Sequence, residues 1–159
     1  MTETTLQRAI GVRPVGVAIV ACNGAAGPEG VLVGTLASLS ADPPRVSFAI
    51  ARTARPLAAL RAAPALSIQL LAPDQVEVAV QFSDSARTAE RFASADWRIT
   101  TDRPPQLNGV AACLFGVAWQ IFDTQTHALF VVDVTGAWRF GEASLLYKDG
   151  KFLPGDGTA

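Results

Sequence analysis

The chain has few of the residues that most often hold metals or act as nucleophiles. It contains one histidine, His127, and two cysteines, Cys22 and Cys113. The cysteines stand far apart and form no C-x-x-C pair, so they read as two buried free thiols rather than a disulfide or redox motif. No group of His, Cys and carboxylate has metal-ligand spacing, which argues against a metal centre. Charge is also scarce. Only 17% of residues are charged, 13 basic against 14 acidic, for a net charge of −1. No overall basic field exists to hold nucleic acid, and no polybasic or amphipathic run marks a membrane surface. The opening MTETTLQRAI has no hydrophobic signal core, and no apolar run approaches the ~20 residues of a membrane helix. The expectation is a cytoplasmic protein that binds neither nucleic acid nor membrane.

Several motifs are missing as well. There is no G-x-G-x-x-G, no Walker A, no G-x-S-x-G and no H-E-x-x-H. These absences disfavour a nicotinamide enzyme built on a doubly wound sheet. A Ser-His-Asp hydrolase would have only His127 to use, and no serine sits in an elbow sequence.

What is present is apolar. Half of the 159 residues are hydrophobic, enough for one well-buried core. A single domain over 1–159 is expected, with a core from about 6 to 153 and frayed ends before Leu6 and from Pro154. Val15–Ala21 (VGVAIVA) is a continuous β-rich run, as in a strand buried on both faces. Asn23–Pro28 reads as a turn, Gly30–Leu39 as a second strand, and the ADPP at Ala41–Pro44 as its break. Arg45–Ala51 is a third strand. Thr53–Ala62 then changes to helical spacing, with Thr53 as N-cap and Pro56 in the first turn. Ala65–Leu71 is a strand, and Asp74–Phe82 a short helix with Asp74 as cap and Glu77 completing a capping-box variant. Ser83–Pro105 is a polar connection containing Trp97. Ala111–Phe122 and Ala128–Trp138 are long strands, and a short hairpin turns at Asp149-Gly150, a pair that supplies φ > 0. About seven strands with two or three short helices point to a mainly β, closed or nearly closed antiparallel barrel.

Two stretches could carry chemistry. Arg45, Arg52, Arg55 and Arg61 fall within seventeen residues that contain no acid. Arg52 and Thr53 stand where a strand gives way to a helix, where free N–H groups, the helix dipole and a guanidinium would together hold an anion. An ordinary solvated helix face is the alternative. The second stretch, GVLVGTLASLS (Gly30–Ser40), places small residues where a strand normally carries bulk. A planar ligand could lie against such a backbone and bond to it along its edge. A close crossing of neighbouring strands would also explain it.

Five segments, in order, resemble one family. They are LQRAIGVRPVGVAIV (Leu6–Val20), SLSADPPRVSFAIARTARPLAALR (Ser38–Arg61), LLAPDQVEVAVQF (Leu70–Phe82), THALFVVDV (Thr126–Val134) and SLLYKDGKF (Ser144–Phe152). The chain thereby resembles the flavin reductase-like proteins with an FMN-binding split barrel, Greek-key-like and antiparallel, the small reductase components of two-component flavin monooxygenases. The resemblance implies hydride transfer from NADH or NADPH to FMN or FAD. It also implies a homodimer and transient transfer of reduced flavin to a monooxygenase. It assigns Leu32, Val33, Gly34 and Thr35 to the flavin ring, largely through backbone groups, with Ser38 and Ser40 on the same strand and its turn. It assigns Arg52 and Thr53 to the flavin phosphate, Phe82 to an aromatic beside the cofactor, and His127 to the nicotinamide site as the catalytic histidine. Arg13 and Tyr147 border that pocket. The family usually carries a hydroxyl or amide near Leu32 and Gly34, a role left here to Thr35. Its Gly-Asp before the histidine is Gln125-Thr126 here, which leaves Thr126 to orient the imidazole. A flavoprotein without reductase turnover and a cofactor-free dimer remain the other two readings of these departures.

Overall fold

The structure, a computed structural model, describes residues 4–94 and 96–154. In chain order the elements are α1 (Leu6–Gly11), β1 (Val15–Gly16), β2 (Ala18–Gly24), β3 (Gly27–Val33), β4 (Ala37–Ala41), β5 (Pro44–Ala51), α2 (Leu57–Ala62), β6 (Leu66–Leu70) and α3 (Val76–Ser83). A 3₁₀ segment (Ser85–Glu90) follows, then β7 (Trp97–Arg98), β8 (Gln106–Leu107), β9 (Ala112–Asp123), β10 (His127–Arg139), β11 (Leu146–Lys148) and β12 (Lys151–Leu153). Of the ends expected to fray, residues 1–3 and 155–159 lie outside the described residues. Thr5 already caps α1, its Oγ1 accepting from the Arg8 N–H at 3.4 Å.

Seven strands form one sheet in the order β3-β2-β6-β9-β10-β5-β4, with every ladder antiparallel. Laid flat, such a sheet would be roughly 29 Å wide at the usual strand spacing. Yet the chain passes from edge strand β3 to edge strand β4 through only Gly34, Thr35 and Leu36. That connection reaches at most about 14 Å even when extended. The sheet must therefore curl until its edges nearly meet, giving the expected barrel. Thr35 fixes the closure. Its Oγ1 accepts from the Ala49 N–H at 2.9 Å and donates to the Ala49 carbonyl at 3.3 Å.

The two-residue period of β2 explains the continuous apolar run. Ala18, Val20 and Cys22 point into the barrel with Phe48, Ile50, Leu66, Ile68, Phe130 and Val132, and α2 closes one end through Leu57 and Leu60. The alternate residues, Ile19 and Ala21, face a second core with Leu71, Phe82, Trp97, Leu107 and Leu145. Both cysteines are free and buried, and burial pushes each thiol up to about 11.

Several boundaries differ from the sequence reading, each for a local reason. The Asn23–Pro28 turn is tighter, because β2 and β3 pair as far as Gly24 and Gly27, where φ is +134°. The expected strand Gly30–Leu39 is two strands, interrupted where the barrel closes. The expected helix at Thr53 starts at Leu57, after a turn in which the Ala54 N–H donates to the Ala51 carbonyl at 2.9 Å. Helix α3 starts at Val76 rather than Asp74, and Gln75 stands at its cap position and accepts from the Ala72 N–H. The polar connection is well anchored. Buried Ser67 and Gln69 donate to the Pro105 carbonyl at 2.6 and 3.2 Å, and Asn23 donates to the carbonyls of Thr100 and Arg103. The β11–β12 hairpin turns as expected, with φ of +48° at Asp149 and +81° at Gly150. At Gly116 a Cβ would come within 2.5 Å of the Asp133 carbonyl oxygen, so only glycine fits beside that irregularity in the β9–β10 ladder.

Candidate functional site

Helix α1 is short and buries none of its residues. Docking on a core therefore does not hold it. It stands as one wall of a cleft of about 820 Å³, which the β11–β12 hairpin closes on another side and the Gly34–Thr35 segment on a third. The Asp149 N–H donates to the Gly11 carbonyl at 3.1 Å, tying hairpin to helix. Arg13, Gly34, Thr35 and Tyr147, four residues singled out in the sequence, all line this cleft. Gly34, Thr35 and Leu36 pair with no strand, and among the described residues their backbone groups take part in no turn or loop bond. This wall thus offers open amide and carbonyl groups to the edge of a planar ligand. The Thr35 hydroxyl is not the free polar group expected of it, because its bonds to Ala49 serve the barrel closure.

A second group of residues assembles around the end of β5. Ala51 pairs with His127 on β10, and the Arg52 N–H donates to the Thr126 carbonyl at 2.9 Å. The Arg52 guanidinium donates through Nη1 to the Thr124 carbonyl at 3.3 Å. Thr124 braces His127 from the other side, its Oγ1 accepting from the His127 N–H at 3.0 Å. His127 is exposed, and its Nδ1 lies 2.9 Å from Thr126 Oγ1. Thr126 therefore holds the ring in the absence of an aspartate. The Thr53 N–H has no backbone partner among the described residues. The helix-dipole part of the expected anion site does not hold, since α2 begins only at Leu57. What remains is a guanidinium and a turn.

The other two members of the arginine stretch with assigned partners are neutralised. Arg45 meets Asp133 at 2.6 Å and lies 3.9 Å over the Trp119 ring, and Arg61 pairs with Asp123. Five more sequence candidates lie elsewhere. Phe82 is 3% exposed, with its ring 5.3 Å from Phe92 and 5.7 Å from Trp97. It is a core residue, because the inner face of α3 turns it onto β2 and away from the cleft. Val33 points into the barrel and Leu32 packs on the second core, so either could meet a ligand only through its backbone. Ser40 donates to the Pro43 carbonyl and serves the β4–β5 turn. Ser38 is exposed on edge strand β4. The sequence reading missed Arg8 and Lys148, which line the cleft beside Arg13. The available signal was that the only two lysines, Lys148 and Lys151, flank one turn.

Backbone groups open on the Gly34–Leu36 wall and a guanidinium beside a turn at Arg52 fit the ring edge and the phosphate of a flavin nucleotide. Comparison with known proteins gives the same chemistry. The flavin reductase like domain model matches residues 11–156. An NADH:FMN oxidoreductase from Rhodococcus qingshengii is 33% identical over 145 residues, 87% of this chain and 74% of that protein. The NADH:FAD oxidoreductase SgcE6 of Streptomyces globisporus C-1027 superposes with a TM-score of 0.84 at 25% identity, over 96% of this chain and 91% of its own. A putative oxidoreductase from Sinorhizobium meliloti 1021 superposes with a TM-score of 0.85 at 29% identity, over 92% of this chain. This chain spans about half of that protein's length, 51%. Match, superposition and open backbone wall agree: the chain belongs to the flavin reductase-like domain family and has its split-barrel fold.

Proposed function

We propose that this flavin reductase seats the flavin ring against the Gly34–Thr35 wall, its phosphate at Arg52 and Thr53, and the nicotinamide of NADH or NADPH beside His127, Arg13 and Tyr147. The observation that carries this reading is the cleft of about 820 Å³, which Gly34 and Thr35 line together with Arg13 and Tyr147. Flavin, when bound, accepts a hydride that a nicotinamide donates, so the chemistry belongs to the two ligands. The protein's part is to align two rings and exclude water. Gly34 keeps one wall free of side chain. Tyr147, with its ring 5.2 Å from Phe152, adds an aromatic group to the lining of the same cleft. His127, held by Thr126, positions the nicotinamide or passes a proton to the reduced product.

Mixing the protein with FMN and NADH tests the reading. Absorbance at 340 nm should fall with time. No fall would favour a flavoprotein without turnover, and the spectrum of the protein as isolated would distinguish that from a cofactor-free dimer.

His127→Ala should raise the KM for NAD(P)H, lower kcat, or both, with the FMN dissociation constant unchanged to within about twofold. Steady-state kinetics paired with a flavin fluorescence titration would read both. Unchanged kinetics would return His127 to a structural role, and loss of flavin binding alone would assign it to the other ligand.

Assembly belongs to the same proposal. Val117, Trp119 and Phe122 on β9 and Leu129 and Trp138 on β10 are exposed apolar side chains on paired strands. So large an apolar surface favours a symmetric partner. The protein should sediment as a homodimer at micromolar concentration. A mass near the 16.6 kDa monomer would contradict this. The reduced flavin would then pass to a monooxygenase partner.

A further inference from the structure

Two sets of cations in this chain differ in their surroundings. Arg45, Arg61, Arg87, Arg103 and Arg139 each pair with a carboxylate. Arg8, Arg13 and Lys148 line one cleft, and among the described residues none of them pairs with a carboxylate. One acid, Asp149, lines the cleft with them, and its N–H binds Gly11. Three cations against one carboxylate leave the cleft lining net positive and favour a polyanion over a neutral ligand.

A mononucleotide flavin has one phosphate, and in the reading above it sits at Arg52. Arg52 does not line the cleft. The cleft cations therefore answer to a different anion. Arg13 and Tyr147, where the reading above seats the nicotinamide, share the cavity with these cations, so the anion belongs to the ligand that carries the nicotinamide. We propose that the cleft between α1 and the β11–β12 hairpin binds the diphosphate bridge of the nicotinamide dinucleotide, with Arg8 and Lys148 as its anion-binding residues. This rests on the reductase reading and adds specificity to it: the protein reads its hydride donor by the diphosphate as well as by the nicotinamide. It also gives α1 a purpose, because a helix with no buried residue then gains its partner when the ligand arrives.

The test uses ADP-ribose, which carries the diphosphate without the nicotinamide, and calorimetry, which needs no turnover. The wild-type protein should bind ADP-ribose, and the double variant R8A/K148A should bind it about tenfold more weakly or worse. Added salt should weaken wild-type binding more than binding by the variant. In kinetics the variant should raise the KM for NADH by a similar factor. The KM for reduced nicotinamide riboside, which has no phosphate, should stay within about twofold. Both side chains lie outside the cores, so the variant should fold, and an unchanged FMN dissociation constant would confirm it. Equal ADP-ribose affinity in both proteins would overturn the proposal, as would equal KM losses for NADH and the riboside. A matching loss of FAD affinity would also overturn it, by giving the cleft to the diphosphate of a dinucleotide flavin. ADP-ribose binding that depends on Arg8 and Lys148 in a protein that fails to oxidise NADH would sink the reductase reading and leave the diphosphate site standing.

Discussion

Arg52→Ala is expected to weaken FMN binding about tenfold or more and to leave riboflavin binding within about twofold. A charge-assisted hydrogen bond contributes about 1.5–3 kcal/mol, and each 1.4 kcal/mol is about a factor of ten in affinity. Arg52 is well placed to deliver that contribution. Its main chain is held by Thr126 and its guanidinium by one bond to Thr124, which leaves the other N–H groups directed and unused. Little side-chain entropy remains to be lost on binding. Riboflavin lacks the phosphate, so it should not register the change. Arg52→Lys keeps the charge without the planar fork and should fall between the two. Fluorescence titration of both ligands against the three proteins would decide. Equal losses for FMN and riboflavin would mean that Arg52 acts on the fold of the Thr124–His127 turn and not on the phosphate.

The largest effect on stability should come from Phe130→Ala. Phe130 and Phe48 stand opposite each other in the β10–β5 ladder, both fully buried, with their rings stacked at 5.2 Å. They fill the middle of the barrel, where neighbouring strands cannot collapse into a vacated space. Truncating such a ring typically costs about 3–5 kcal/mol. At roughly 2–4 °C per kcal/mol for a chain of this size, the melting temperature should drop by about 6–20 °C. Phe140 is the control: it is 68% exposed, and Phe140→Ala should stay within about 0.5 kcal/mol. A thermal scan showing equal shifts for the two variants would contradict this account of the core.

The parts of the fold legible in the sequence were those that local chemistry decides. Asp149-Gly150 declared its turn because both residues tolerate positive φ, and β9 and β10 declared themselves by length and β-rich composition. The break at Gly34–Leu36 was not legible, since nothing in G-T-L forbids a strand there. The barrel's need to join two edges imposes it. Thr53 looked like a helix cap for its residue type, but the turn that binds Arg52 to Thr126 delays the helix to Leu57. The burial of Gln69 was not legible for the same kind of reason, since the Pro105–Leu107 segment that binds it is distant in the chain. Trp97 was placed in a polar connection, and only packing against Phe82 and Phe92 makes it part of the second core. Of the residues the sequence singled out, Arg52 and His127 come together around one turn, while Phe82 is buried in the second core. Membership in a pattern tells where a residue stands along an element but not which face of it the fold buries.

The β5–β10 ladder has a consequence for how the molecule comes into being. Arg45 and Asp133, which face each other across it, are 88 positions apart in the chain. The same ladder sets Ala51 against His127 and so delivers Arg52 to its turn. Pairings of such long separation are the slow steps of folding, typically completed in milliseconds to seconds, because the loop-closure entropy is lost before the contacts compensate for it. No local hairpin contains both sides of this arrangement, since β5 pairs with β4 and β10 with β9 before the two meet. The Arg52–Thr126 turn therefore forms no earlier than the β5–β10 register, and any affinity that depends on Arg52 reports the closing of the barrel rather than the formation of its local hairpins.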